Sequence, residues 1–266
     1  MNAAKTGNFQ QLGQLQRVAI APSQLQPGGI LLDRSQQHYL SRVLRFKTGD
    51  RFIAMDGQGQ WWLAQLSPNP ELATILESIP VQTELPVPVT LILALPKNGW
   101  DEVVRQTTEL GVTTLVPVLS DRTVLKPSPN KLDRWRRIAR EAAEQSERQI
   151  VPTILDPVTF RDYLPLPEQP PNRYICVTRT EAPHLLGQVL TSQGSPGGLQ
   201  PGPLEIAIGP EGGWTPGEVE QAIASNFQPV SLGSRILRAV TAPAVALSLI
   251  AAALEMNPTP NFEVLP

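Results

Sequence analysis

The sequence predicts an α/β protein in which a small β-barrel precedes a mostly parallel sheet with helices on both faces. Three observations carry this. Short apolar runs separated by turn signals fill residues 17 to about 80. From Val87 onward, β-branched runs alternate with stretches of helical periodicity. Between the two patterns, residues 80–88 carry three prolines and no glycine. Each proline removes a ladder donor and restricts its neighbour, so this stretch suits an extended connector. The chain accordingly divides into residues 1–82 and residues 83–266.

Residues 1–16 are rich in Gln, Gly and Asn and are expected to fray. Strands are expected at 29–32, 50–55 and 60–66, with Gly49-Asp50 and Asp56-Gly57 as turns. Residues 35–46 space Tyr39, Val43 and Leu44 as a short amphipathic helix beside Arg42 and Arg45. In the second part, residues 87–95 read as a buried strand. Residues 98–110 read as a helix capped by Asn98 and ended by Gly111. A strand at 113–119 precedes a helix at 130–149, with Asn130 as cap and Asp133 at the third helical position. Leu132, Trp135, Ile138, Ala139 and Ala142 make its apolar stripe. Residues 152–173 are too proline-rich to assign. Strands follow at 174–178 and 204–208, separated by a Gly/Pro/Ser-rich loop at 192–203. Ligand sites in parallel sheets lie beyond the C-terminal strand ends. The loops after Leu95, Leu119, Thr178, Ile208 and Leu232 are therefore the expected functional edge.

Composition narrows the function classes. With one cysteine, Cys176, and two histidines, His38 and His184, the chain has no intrachain disulfide and is poorly equipped for structural zinc. Cys176 reads as a buried strand residue. No compact apolar segment follows Lys5, and the apolar stretch 242–256 is short for a membrane span. A soluble cytoplasmic protein is expected. The 22 basic and 24 acidic side chains leave a net charge of -2. Yet Arg122, Lys126, Lys131, Arg134, Arg136, Arg137, Arg140 and Arg148 crowd one region. That pattern fits either a phosphate-binding face or an ordinary solvated helix.

Two motifs carry chemistry. The first is Gly209-Pro210-Glu211-Gly212-Gly213-Trp214-Thr215-Pro216-Gly217-Glu218, directly after a strand. Thr215 suits an N-cap, Pro216 the first helical position and Glu218 the third. Three glycines in five residues let backbone approach a ligand closely, and the Glu211 carboxylate could hold a hydroxyl or orient a base. A plain strand-to-helix turn has the same local signature. The motif lacks the lysine and hydroxyl of a P-loop and the glycine spacing of a dinucleotide fingerprint. The second motif, residues 232–243, runs Leu232-Gly233-Ser234-Arg235-Ile236-Leu237-Arg238-Ala239-Val240-Thr241-Ala242-Pro243. A strand at 229–232 feeds it, and Thr241 can cap a helix reaching about Leu254. Arg238, nearest the helix start, could hold a phosphate or carbonyl through its paired donors; Arg235 could equally be a solvent-side charge.

These residues closely resemble the ribosomal RNA small subunit methyltransferase E family, of the SPOUT superfamily of knotted methyltransferases. His38 with Val43-Leu44-Arg45, Gly49-Asp50 and Asp56-Gly57 resembles that family's N-terminal PUA-like barrel. Glu109-Leu110-Gly111-Val112, Arg134-Trp135 and Glu141-Ala142-Ala143-Glu144-Gln145-Ser146 resemble its middle signatures. Residues 209–213 and 232–238 resemble its cofactor loops. The resemblance covers nearly the whole chain.

It implies a C-terminal trefoil knot, which overrides the expectation that chains are unknotted. It also implies a homodimer, no membrane or metal partner, and S-adenosylmethionine bound in the knot. Cofactor contacts would come from Thr178, Gly209, Glu211, Gly212, Gly213, Leu232, Gly233, Ile236, Leu237 and Arg238. The implied activity is N3-methylation of a uridine in 16S ribosomal RNA. The N3 proton is weakly acidic and must leave before or during attack. Either Glu211 accepts that proton, or Arg238 stabilises the uridine oxyanion while water removes it; the placement of the two residues in adjoining loops favours Arg238 for charge, with Glu211 as an orienter of the base. His38, Arg42, Arg45, Lys97, Arg122, Arg137, Arg140 and Arg148 are the candidate RNA contacts, with His38 equally suited to a local cap. A related enzyme acting on transfer RNA or a ribose hydroxyl, a non-catalytic ribosomal RNA-binding protein, and a nucleotide-binding α/β enzyme unrelated to RNA are the alternatives. Family members commonly read arginine, a small residue, then Glu-Thr-Ala. Here Arg238-Ala239 precedes Val240-Thr241-Ala242. Val240 is either a packing replacement or a mark of altered activity.

Overall fold

The computed structural model describes residues 14–123, 128–165, 169–191 and 199–256. Most of the expected frayed N-terminus, Lys126 of the basic cluster and residues 192–198 of the Gly/Pro/Ser-rich loop lie outside them. The chain forms two compact units: Met1–Glu84 with Ala143–Val151, and Leu85–Ala142 with Pro152–Pro266.

The first unit holds β1 (Arg17–Ala19), β2 (Leu25–Gln26), β3 (Gly29–Leu31), α1 (Arg34–His38), β4 (Arg51–Met55), β5 (Trp61–Leu66) and β6 (Leu72–Ile79). The strands form one sheet in the order β1-β4-β5-β6-β3-β2, parallel between β1 and β4 and antiparallel elsewhere. Val18, Ile30, Leu40, Phe52, Ala54 and Ala64 pack one core of the unit. The expected helix at 35–46 is shorter and changes pitch. Asp33 and Gln36 make a reciprocal capping box that opens α1, which passes into a π-helical turn at Tyr39–Val43. Arg45 ends the segment in the left-handed region, at φ 59°.

The second unit holds β7 (Val89–Ala94), α2 (Trp100–Glu109), β8 (Thr114–Leu119), α3 (Pro129–Gln145), β9 (Thr153–Ile154), β10 (Val158–Thr159), α4 (Phe160–Tyr163), β11 (Asn172–Cys176), α5 (Leu185–Leu190), β12 (Leu204–Ile208), α6 (Pro216–Ala224), β13 (Gln228–Val230) and α7 (Ala242–Met256). The last turn of α3 belongs to the first unit. Every ladder of this sheet is parallel, in the order β10-β8-β7-β12-β11-β13 with β9 beside β8. Its central strands β7 and β12 are buried along almost their whole length and mostly apolar, because both faces are covered.

The expectations at two helices are corrected. Gly99, not Asn98, is the N-cap of α2, and it takes φ 86°. A Cβ there would lie 2.7 Å from Cγ1 of Val240, so only glycine leaves room for that contact. Asn130 lies inside α3 rather than capping it, and the helix stops at Gln145 rather than near 149. Glu147 then turns left-handed at φ 60°. The proline-rich 152–173 stretch, unassigned from sequence, contributes two edge strands and α4.

A buried polar cluster ties β11 to β12. Arg173 and Glu205 are register partners. The Arg173 Nε donates to Glu205 at 2.8 Å, its Nη1 donates to the Ser225 carbonyl at 2.8 Å, and its guanidinium lies 4.1 Å from the Phe227 ring centre. The Tyr163 hydroxyl donates to the other Glu205 oxygen at 2.7 Å. Burial, then the Glu205 charge, push the Tyr163 phenol well above its ordinary range, so it remains a donor. With its hydrogen bonds filled this way, the buried ion pair is tolerated.

Candidate active site

The five loops at the C-terminal ends of β7, β8, β11, β12 and β13 supply the lining of two cavities. The turn after β12 is built from its glycines. The Gly213 amide donates to the Pro210 carbonyl at 2.8 Å, and Gly213 takes φ 69°. A Cβ at Gly209 would lie 3.2 Å from the Trp214 nitrogen and 3.3 Å from its ring, whereas one at Gly213 would meet nothing within 4 Å. Trp214 stacks on Phe160 with ring centres 4.3 Å apart. The expected capping box opens α6: the Thr215 amide donates to Glu218 at 2.7 Å and the Glu218 amide to the Thr215 hydroxyl at 3.3 Å.

The loop after β13 turns at Gly233, φ 108°, whose amide donates to the Ser231 hydroxyl at 3.1 Å. The Arg238 carbonyl accepts from the Thr241 and Ala242 amides, both at 2.9 Å, and so launches α7. Arg235, Ile236 and Arg238 are exposed.

The first cavity, about 590 Å³, is lined by Thr178, Gly209, Gly212, Gly213, Leu232, Gly233 and Leu237 among the expected cofactor residues. Glu211, Ile236 and Arg238 instead line a second cavity of about 540 Å³, together with Asn98 and Gly99. Leu237 and Ala239 face both. The two residues expected to act on the base therefore share one chamber. Glu211 is held there by the Lys97 amide, which donates to its Oε1 at 2.9 Å.

Sequence reasoning missed several lining residues. Arg179 sits in the left-handed region at φ 60°, a strained conformation of the kind found at ligand sites. Glu220 and Arg235 line the first cavity too, as does Cys176. Cys176 is half-buried, and desolvation pushes its thiol up to about 12, so it is a neutral wall group. Asn98 was read only as a helix cap. Arg179, Arg235 and Asn98 share a signal of position, since each lies in a loop that follows a strand; Cys176, the last residue of β11, and Glu220, inside α6, carry no such signal.

The candidate RNA residues separate. His38, Arg42 and Arg45 on the first unit are exposed, as are Lys97, Arg137 and Arg140. Arg137 has a loose pairing with Glu141 at 3.8 Å. Arg148 is corrected: its side chain is 4% exposed and paired with Glu84 inside the first unit, out of reach of a phosphate. Arg122 is also redirected, because its Nη1 donates to the Gly212 carbonyl at 2.5 Å. Arg134 and Arg136 pair with Asp101 and Asp156 at 2.6 and 2.9 Å.

The second unit has a parallel sheet with a glycine-walled chamber at its strand ends, the first a six-stranded sheet of its own, and the family models give these two parts their class: an RNA methyltransferase domain and an RNA methyltransferase PUA domain. The model of the RNA methyltransferase domain matches residues 83–251, and that of the RNA methyltransferase PUA domain matches residues 32–77. The chain is 49% identical to the ribosomal RNA small subunit methyltransferase E of Synechocystis sp., over 90% of this chain and 78% of the relative. It is 33% identical to the protein of the same name from Bacillus subtilis, over 82% and 88%. The crystal structure of the Neisseria gonorrhoeae ribosomal RNA small subunit methyltransferase E bound to S-adenosylmethionine superposes with a TM-score of 0.77. That comparison has 30% identity and covers 90% of this chain and 98% of that one. The chain belongs to the ribosomal RNA small subunit methyltransferase E family.

Proposed function

We propose that this protein transfers the methyl group of S-adenosylmethionine to N3 of a uridine in 16S ribosomal RNA. As a member of its family it is an S-adenosylmethionine-dependent ribosomal RNA methyltransferase. The observation that carries the choice of base chemistry is the shared chamber. Glu211 and Arg238 line one cavity, and only Leu237 and Ala239 are common to it and the larger one.

The residues of the larger cavity fit the cofactor. Its volume, about 590 Å³, lies within the range typical of small-molecule sites. Gly213 leaves open space where a side chain would stand, and the buried Trp214 indole N–H has no partner among the described residues. Backbone of the two glycine turns and of Thr178 would hold the ligand, with Glu220 available to its ammonium. The bound cofactor supplies an electrophilic methyl on a sulfonium. Arg238 stabilises the negative charge that develops on a uracil oxygen as N3 gives up its proton. Glu211, held by the Lys97 amide, receives that proton or orients the base. The base must be unpaired to enter, which single-stranded or loop RNA permits cheaply.

The first unit, with exposed His38, Arg42 and Arg45, steers the RNA, and residues 1–82 and 83–266 are the two functional domains. The trefoil knot, the homodimer and a cytoplasmic location complete the proposal. No helix of the described residues is long and apolar enough to cross a membrane, and no group of acidic, histidine or cysteine side chains among them could hold a metal. The test is incubation with labelled S-adenosylmethionine and undermodified small-subunit particles, followed by nucleoside mapping. N3-methyluridine is expected. Label in a ribose, or unlabelled particles beside labelled transfer RNA supplied in a parallel incubation, would overturn the assignment.

A further inference from the structure

The loop that follows β8 is stapled to the glycine turn that follows β12, across the end of β7. Ser120–Thr123 is a closed turn in its own right. The Ser120 amide donates to the Thr123 hydroxyl at 2.9 Å, and the Thr123 amide to the Ser120 carbonyl at 3.0 Å. From this turn Arg122 reaches over the cavity wall. Its Nη1 donates to the Gly212 carbonyl at 2.5 Å and lies 3.5 Å from the Trp214 carbonyl. Its Cδ stands 3.2 Å from where a Gly212 Cβ would be. The neighbouring Asp121 amide donates to buried Glu218 at 2.9 Å, and the Thr215 hydroxyl donates to the Asp121 carboxylate at 3.3 Å. Arg122 forms no ion pair with an acidic residue among those described, and it lines the larger cavity.

We propose that Arg122 is a positioning residue for the methyl donor: it holds the Gly212 carbonyl so that the glycine turn is preset for the cofactor. The inference rests on the larger cavity being the S-adenosylmethionine site. A peptide flanked by two glycines has the widest choice of conformations. A charge-assisted bond to one carbonyl selects one of them before the ligand arrives, which lowers the ordering cost of binding. Its cation, bound to backbone carbonyls, is not a free phosphate contact.

The test measures donor affinity by calorimetry, KM and kcat, and the salt dependence of RNA binding. In the R122A variant the dissociation constant and KM for S-adenosylmethionine rise about tenfold, while kcat at saturating donor falls far less. R122K, which keeps a donor within reach of the carbonyl, recovers most of the affinity. G212A acts from the other side by displacing the Arg122 stem, and weakens donor binding in the same direction. The salt slope of RNA binding is the same in R122A as in wild type. Unchanged donor affinity in R122A, no recovery in R122K, or a shallower salt slope overturns the inference. If R122A does not fold, R122K and G212A against wild type decide it. Absence of donor binding by the wild-type protein would instead strike at the proposed function.

Discussion

Glu211 and Arg238, to which the proposed function assigns the base chemistry, are brought together by the fold rather than by their own segments. Each is exposed, and neither is special in its own segment. What distinguishes them is one chamber, walled by Asn98 and Gly99 from a third loop. On the proposed mechanism the Arg238 guanidinium supplies charge stabilisation needed mainly in the transition state, so R238A should lower kcat about a hundredfold or more at saturating cofactor. E211A should cost less, about tenfold. Both variants should bind S-adenosylmethionine nearly as wild type does, and methyl-transfer kinetics beside calorimetry check this. Val240 packs against Gly99, which favours a packing role there. Cys176 yields a pH prediction. Its thiol is raised from 9.0 to about 12 in the folded protein. The folded state therefore keeps a proton that the unfolded chain releases. The associated stability is present below pH 9 and is lost as pH rises toward 12. The wild-type protein should lose more stability over that window than C176S, read by urea unfolding. At pH 8 the folded protein should also react far more slowly with a thiol reagent than the unfolded chain.

Among the elements, the strand-turn-helix from Leu204 to Ala224 was the most legible. Thr215, Pro216 and Glu218 specify a helix start locally, and the capping box is where that spacing puts it. T215A should destabilise the fold by about 1 kcal/mol. G213A should cost about 1–2 kcal/mol for the left-handed backbone, and it should also weaken S-adenosylmethionine binding. Thermal melts with and without ligand separate the two effects, because T215A should leave more of the ligand-induced shift intact. Less legible were Gly99 and α3. Asn98 and Asn130 have good capping chemistry, yet neither caps a helix. At Gly99 the deciding factor is Val240, which is 141 positions away and fills the space of a side chain. At Asn130 the helix simply begins earlier, at Pro129. The 35–46 segment has helical spacing throughout, but a π-turn and a left-handed Arg45 break it.

For the molecule as a whole, the second unit depends on a buried ionic cluster. Arg173 and Glu205 sit side by side on central strands, with Tyr163 and the Ser225 carbonyl completing their hydrogen bonds. E205A should destabilise the protein by about 3–5 kcal/mol, since it leaves the arginine buried and unpaired. Replacing both members with apolar residues of similar volume should cost much less. Chemical denaturation of the single and double variants checks both. The chain's order of apolar runs, turns and caps by itself determined an α/β architecture and the loops that line the two cavities, because such signals act within a few residues, whereas the return of residues 143–151 to the first unit was not legible in it. The tertiary structure alone decided which loop residues meet. It sent Glu211 and Arg238 to one cavity and the other expected cofactor residues, Ile236 apart, to its neighbour, turned Arg122 onto a backbone carbonyl, and buried Arg148 against Glu84. Those outcomes depend on side chains brought together across tens of residues by parallel strand order, and a charged residue's local sequence is the same whether it ends facing solvent, a ligand or a partner.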